Sequence, residues 1–183
     1  MAFGHLGEAG DRFIIAYDAV QGDRPEAFTA HAFDPPQEDR GFFLQAARAI
    51  RTARAAWHAA APRTYNIAAL PASGGKFYVY FVPAQTKADV WPLGADERFL
   101  ISADGERVEQ QRTLHKSLLD MTYPKDAVAG THTAIVDDLP EDTDVFFVLQ
   151  RKPSIPEYVG TKSHLYQIQT NGSILVKDKS SKK

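Results

Sequence analysis

Aromatic and β-branched runs broken by glycine-rich turns, one long amphipathic stretch and a length suited to one domain predict a single α+β domain over residues 1–183. A mixed or mostly antiparallel sheet is expected, packed against one long helix at about 38–61 and one or two shorter helices. Of the 183 residues, 44% are hydrophobic and 11% aromatic, which supplies a substantial core. No internal repeat or shift in composition marks a domain boundary, and the basic tail at 178–183 is expected to fray.

Taken in order, DRFIIAYDAV (11–20) suits a strand or a helix equally, and 21–37, with Pro25, Pro35 and Pro36, predicts an irregular connection. The helix follows. At 100° per residue Phe42, Ile50 and Trp57 share one face with several alanines, so all three are expected to be buried against a sheet. That face has little bulk and permits a close approach. Arg48, Arg51, Arg54 and His58 line the adjoining face, Glu38 and Asp39 suit the helix start, and Pro62 stops it. TYNIAAL (64–70) and KFYVYFV (76–82) read as strands around the turn PASGG, the second apolar on both faces as an interior strand is. RFLIS (98–102) and ERVEQQR (106–112) flank a hairpin at ADG, and LHKSLLDM (114–121) fits a short helix or a strand end. SHLYQIQT and SILVK flank Asn171-Gly172; a two-residue turn there sets Ile168 opposite Leu175 and Tyr166 opposite Lys177.

Several function classes drop out early. A net charge of −2 and a pI near 6.3 exclude a general nucleic-acid binder. The absence of cysteine removes disulfides, thiolate metal sites and cysteine nucleophiles. No run approaches the roughly 20 apolar residues of a membrane helix, so no membrane insertion is expected. The first residues do not form a signal peptide; the protein is expected in the cytoplasm if the chain is complete, and outside it if a leader has been removed. Nucleotide, P-loop, serine-hydrolase and HExxH signatures are missing, and Ser73-Gly74-Gly75 precedes a strand as a hairpin turn does. The six histidines, His5, His31, His58, His115, His132 and His164, are scattered singly.

Residues 130–144, GTHTAIVDDLPEDTD, hold one histidine and five carboxylates with no lysine or arginine. Plain local chemistry accounts for them: Asp137-Asp138 form a turn, Pro140, Glu141 and Asp142 start a helix, Arg151-Lys152 occupy its last turn and Pro153 ends it. VFFVL within that span also passes as a buried strand.

The same segment resembles the zinc motif of JAB/MPN-type metalloproteases, His-x-His-Pro, seven residues, Ser, two residues, Asp. His132 matches the second histidine and Asp144, twelve residues on, the aspartate; VFFVLQRKPSIPEYVGTKSHLYQI resembles the helix, strand and hairpin that follow. The resemblance implies zinc held at His132 and Asp144, with Glu97 or Glu106 near the place of the family's general base. Gly130, Thr133 and Glu141 stand where the family has histidine, proline and serine. One imidazole and one carboxylate do not make a three-ligand catalytic site, so no metal and no cofactor are expected.

The sequence therefore predicts a soluble, bacterial-type binding or accessory module without catalysis, whose contact surface is the loop around His132. Its partner would be an unidentified protein or small molecule, and nothing sets an oligomeric state. The alternative is a JAB/MPN-like zinc-dependent hydrolase whose metal site is completed by a further ligand such as His115 or His164. A third reading makes Arg48, Arg51, Arg54 and His58 the surface for an acidic partner.

Overall fold

The computed structural model describes residues 1–24 and 27–177. The tail at 178–183 and Pro25 within the expected 21–37 connection lie outside the described residues. The chain divides into two compact units that interleave along the sequence: Met1–Trp57, Ile67–Val79 and Phe99–Gln111 form the first, and His58–Asn66, Tyr80–Arg98 and Arg112–Lys183 the second. Among the described residues no helix is long and apolar enough to cross a membrane.

The first unit opens with an antiparallel sheet in the order β1 (Ala2–Leu6), β2 (Phe13–Gln21), β3 (Phe28–Asp39). The ambiguous segment 11–20 is thus strand, and most of the expected irregular connection is a twelve-residue edge strand. Its prolines explain the misreading and its resolution. The register passes from Ile15↔Gln37 to Tyr17↔Ala32, so Pro35 and Pro36 fall where the ladder is interrupted and their missing N–H groups cost nothing. Phe13 and Ile15 bury against Leu44 of α1 (Phe42–Ala56), with Ala2, Leu6, Phe33, Phe43 and Ala47 around them.

α1 is shorter than the sequence predicts and differently capped. The chain stays extended through Asp39, whose Oδ1 accepts the N–H groups of Gly41 at 3.1 Å and Leu44 at 3.0 Å. At the other end Trp57 is already extended, before Pro62 is reached. Of the predicted face, only the alanines Ala49 and Ala53 are fully buried; Phe42 is 50% exposed, and Ile50 and Trp57 are half-buried. The close approach is made to a turn: a Cβ on Gly105 would lie 2.6 Å from the Gln45 carbonyl oxygen, and Thr52 donates to the Gly105 carbonyl at 2.7 Å. Among the described residues the structure is sheet-rich, with two α-helices, rather than a sheet under one long helix.

A four-stranded sheet has the order β4 (Tyr65–Pro71), β5 (Phe77–Pro83), β7 (Glu97–Ile101), β8 (Val108–Thr113). β5 is interior as predicted, with Phe77, Val79 and Phe81 buried and the alternate residues partly so. Between β5 and β7, β6 (Trp91–Gly94) pairs antiparallel with β9 (Leu118–Met121), so the segment 114–121, expected as a short helix or a strand end, is a loop over 114–117 and a strand from Leu118.

The second unit continues through β10 (Gly130–Thr133), α2 (Asp142–Gln150), β11 (Glu157–Gly160), β12 (Leu165–Ile168) and β13 (Ile174–Lys177). β10 runs parallel to β11, and β11-β12-β13 are antiparallel. VFFVL is helical, and Phe147 and Val148 reach a core of Leu93, Val159, Tyr166 and Ile168. The C-terminal hairpin forms, but one residue out of the predicted register: Ile168 faces Ile174, and Tyr166 faces Val176. The Gln169 N–H donates to the Ser173 carbonyl, so the loop holds three residues rather than two. Only Gly172 takes positive φ (83°), while the Asn171 side chain accepts from the Ser173 N–H and Oγ.

Candidate metal centre

Five buried ionic side chains of the second unit meet in one cluster, each brought by a different element. Asp96 precedes β7, after Gly94 and Ala95, which both turn at positive φ (87° and 51°). The turn fits only glycine at 94, where a Cβ would lie 2.2 Å from the Ser117 carbonyl oxygen. His115 lies between β8 and β9, held near Asp96 by the Leu114 N–H on the Asp96 carbonyl at 3.1 Å. His132 is on β10, Asp144 in the first turn of α2 and Glu157 at the start of β11.

The Nε2 atoms of both histidines converge on one oxygen. His132 Nε2 lies 3.0 Å and His115 Nε2 3.1 Å from Asp144 Oδ1. The second contact lacks hydrogen-bond alignment, which leaves His115 Nε2 a buried polar atom without a hydrogen-bond partner. On the opposite ring edges, His115 Nδ1 lies 2.8 Å from Asp96 Oδ1 and His132 Nδ1 2.9 Å from Glu157 Oε1. A carboxylate only accepts, so each Nδ1 carries a proton. A neutral imidazole then turns its Nε2 lone pair towards Asp144. The other Asp144 oxygen, Oδ2, is fixed by the Glu141 N–H at 2.8 Å.

Electrostatics sharpen the point. Burial depresses both imidazoles, but the close Asp144 carboxylate and the hydrogen-bonded Asp96 outweigh it at His115, holding its pKa at about 10. Asp144 and Glu157 do the same at His132, at about 9. Burial pushes Asp144 up, and the two histidines more than reverse this, holding its carboxyl well below the usual range. Glu157 also accepts from Arg151, which is 1% exposed, at 2.5 Å; that guanidinium donates to the Ile155 and Pro156 carbonyls and lies over the Tyr123 and Phe147 rings. Three carboxylates thus face one guanidinium and two imidazoles. The cluster is neutral when both imidazoles are protonated, and equally when they are neutral and a divalent cation joins them.

The donor set fits such a cation. The three ligand atoms lie within 4.8 Å of one another and all three residues are buried. Tetrahedral zinc with bonds of about 2 Å places its ligands about 3.3 Å apart, near the two N–O separations seen. Each imidazole is also oriented by a carboxylate on Nδ1, the usual outer support of a metal-bound histidine. Both histidines line a cleft of about 380 Å³, together with Ser117, Thr131 and Thr133.

The sequence-derived candidates separate clearly in space. His132 and Asp144 meet, and His115 supplies the second imidazole; His164 lies 3.8 Å from Asp138 and outside the cluster. Glu97 follows Asp96, but the carboxylate that meets a histidine is that of Asp96, and neither Glu97 nor Glu106 lines the cleft. Glu106 belongs to the first unit, 3.6 Å from Arg48. Arg48 spends its guanidinium on the Gly10 carbonyl at 3.1 and 2.8 Å, Arg51 and Arg54 are exposed on α1, and His58 is exposed beyond the helix end.

The acid-rich segment divides its five carboxylates. Asp137 and Glu141 pair with Arg112, Asp138 accepts from the Ser163 N–H, and Asp142 accepts from Tyr80 and Arg98. Asp144 alone serves the histidines. Gly130 has its own reason: a Cβ there would lie 2.0 Å from Glu157 Oε2, so the space is taken by the carboxylate that orients His132. Sequence reasoning missed Asp96, Glu157 and Arg151. The trace of Asp96 and Glu157 was the charge standing inside apolar runs, in LGADERFL and SIPEYVG.

The chain matches no protein-family profile, no curated protein sequence and no solved structure.

Proposed function

We propose that this chain is a zinc-dependent hydrolase whose metal is held by His115 Nε2, His132 Nε2 and Asp144 Oδ1. The observation that carries the reading is the convergence of two Nδ1-anchored imidazoles on one carboxylate oxygen, beside a cleft that both imidazoles line. Three protein ligands with a free fourth position is the composition of catalytic rather than structural zinc. Zinc held there would supply Lewis acidity and would lower the pKa of a coordinated water to about 7.

The chain's own residues do the rest. Asp96 and Glu157 fix the ring orientations and hold the Nδ1 protons, so that only Nε2 is available to the metal. Arg151 and Tyr123 hold the second Glu157 oxygen, with the Tyr123 hydroxyl 3.5 Å from Oε2. Burial of Asp144 keeps bulk water from its ligand oxygen. Ser117, Thr131 and Thr133 offer hydroxyl groups at the cleft wall for a polarised carbonyl or ester oxygen.

The test combines zinc stoichiometry with turnover of p-nitrophenyl acetate and of a blocked peptide p-nitroanilide. One zinc per chain is expected after dialysis, with turnover abolished by phenanthroline and by His132→Ala. Stoichiometric zinc without turnover of either substrate would return the chain to a non-catalytic binding role, and absence of zinc binding would refute the centre itself.

A further inference from the structure

The cleft beside the two histidines has a free strand edge for one wall. Among the described residues β10 is the last strand of its sheet. The N–H groups of Gly130 and Ala134 donate to Pro156 and Gly160 on the β11 side, so alternation turns the N–H and C=O groups of Thr131 and Thr133 away from β11. Thr131, His132 and Thr133 all line the cleft although their side chains alternate between the faces of the sheet. The cleft therefore runs along the edge of β10 rather than over one face.

The remaining lining gives its chemistry. Leu93 and Leu119 from the β6–β9 ribbon, with Ile135 and Val136 after β10, are apolar. Lys116 is the one lysine or arginine among the lining residues; it is exposed and pairs with no carboxylate among the described residues. No aspartate or glutamate lines the cleft, in a chain whose acids outnumber its lysines and arginines.

We propose that the cleft takes an extended acidic peptide, laid as an added strand on the free edge of β10, with Lys116 pairing a substrate carboxylate. Backbone pairing supplies affinity, apolar side chains enter between Leu93, Leu119, Ile135 and Val136, and charge selects the sequence. As a statement about the hydrolase's substrate this rests on the zinc reading, whereas capture of the peptide needs only the edge and Lys116.

Fluorescence anisotropy with the full-length chain, zinc-free and zinc-loaded, tests it. The probes are a fluorescein-labelled heptapeptide of alternating valine and glutamate, its valine–lysine counterpart, and two forms of the glutamate peptide N-methylated at the valine or at the glutamate amides. Saturable binding of the glutamate peptide is expected, weaker by about tenfold or more for the lysine peptide, with Lys116→Glu reversing that preference. One N-methylated form should lose binding by about tenfold while the other keeps it, since only alternate amides face a neighbouring strand. Because binding is read without zinc as well, failure of the metal centre leaves this result interpretable. No saturable binding, equal binding of both charge types, an unchanged preference in Lys116→Glu, or equal effects of the two methylation patterns would each overturn the proposal.

Discussion

Asp96 and Glu157 hold equivalent positions on the two histidines, but only Glu157 is also bound to a buried arginine. Removing a charge therefore has different meanings at the two sites. Asp96→Asn perturbs only the support of His115, and zinc affinity measured against a chromophoric chelator should fall by about 10–100-fold with the fold retained. Glu157→Gln also strands Arg151, and breaking a buried pair from one side costs about 3–5 kcal/mol. That variant should lose stability as well as zinc, as read by denaturant unfolding. Gly130→Ala is expected to behave like Glu157→Gln, because the new methyl would occupy the position of the Glu157 carboxylate. The glycine that stands where the resembled motif has a histidine is, in this chain, what lets the outer carboxylate reach His132.

At the scale of elements, what was legible in the sequence follows how local the contact is. His132 and Asp144 are twelve residues apart and joined by one loop between β10 and α2, so their spacing carried information. His115, Asp96 and Glu157 come from other elements brought together by sheet pairing and core packing, and no local spacing encodes them. The same distinction explains α1. Its alanines Ala49 and Ala53 were legible from periodicity, whereas its ends were set by Asp39 remaining in β3 and by Trp57 turning extended. The hairpin at Asn171-Gly172 was recognisable from its dipeptide, but the dipeptide did not distinguish a two-residue from a three-residue loop. Since Gly172 alone takes positive φ, Gly172→Ala should destabilise the hairpin by about 1–2 kcal/mol. Asn171→Ala should cost less, about 1 kcal/mol for lost side-chain hydrogen bonds to Ser173. Urea unfolding of the two variants checks the order, and a larger loss at Asn171 would argue for the two-residue turn.

For the molecule as a whole the cluster ties stability to pH in opposite ways with and without metal. In the metal-free protein the histidines titrate at about 10 and about 9, above their ordinary value of 6.5. Their contribution to stability is therefore fully present below pH 6.5 and is lost as pH rises through 9 to 10. Asp144 has the opposite sign: its carboxyl is depressed, so its contribution is present above 3.8 and lost as pH falls into the acid range. Zinc needs both Nε2 atoms deprotonated, so its binding releases protons and strengthens as pH rises. Melting midpoints taken from pH 6 to 9 should consequently fall for the chelator-treated protein, and the gap between the zinc-loaded and zinc-free forms should widen.

The central claim concerns which atoms hold the metal, and X-ray absorption at the zinc edge of the loaded, dialysed protein reads them directly. The account predicts one zinc per chain with two imidazole nitrogens at about 2.0–2.1 Å, completed by oxygen ligands, and loss of one imidazole from that shell, or of the zinc altogether, in His115→Ala. Protein that retains no zinc, or an unchanged two-imidazole shell in His115→Ala, would contradict it.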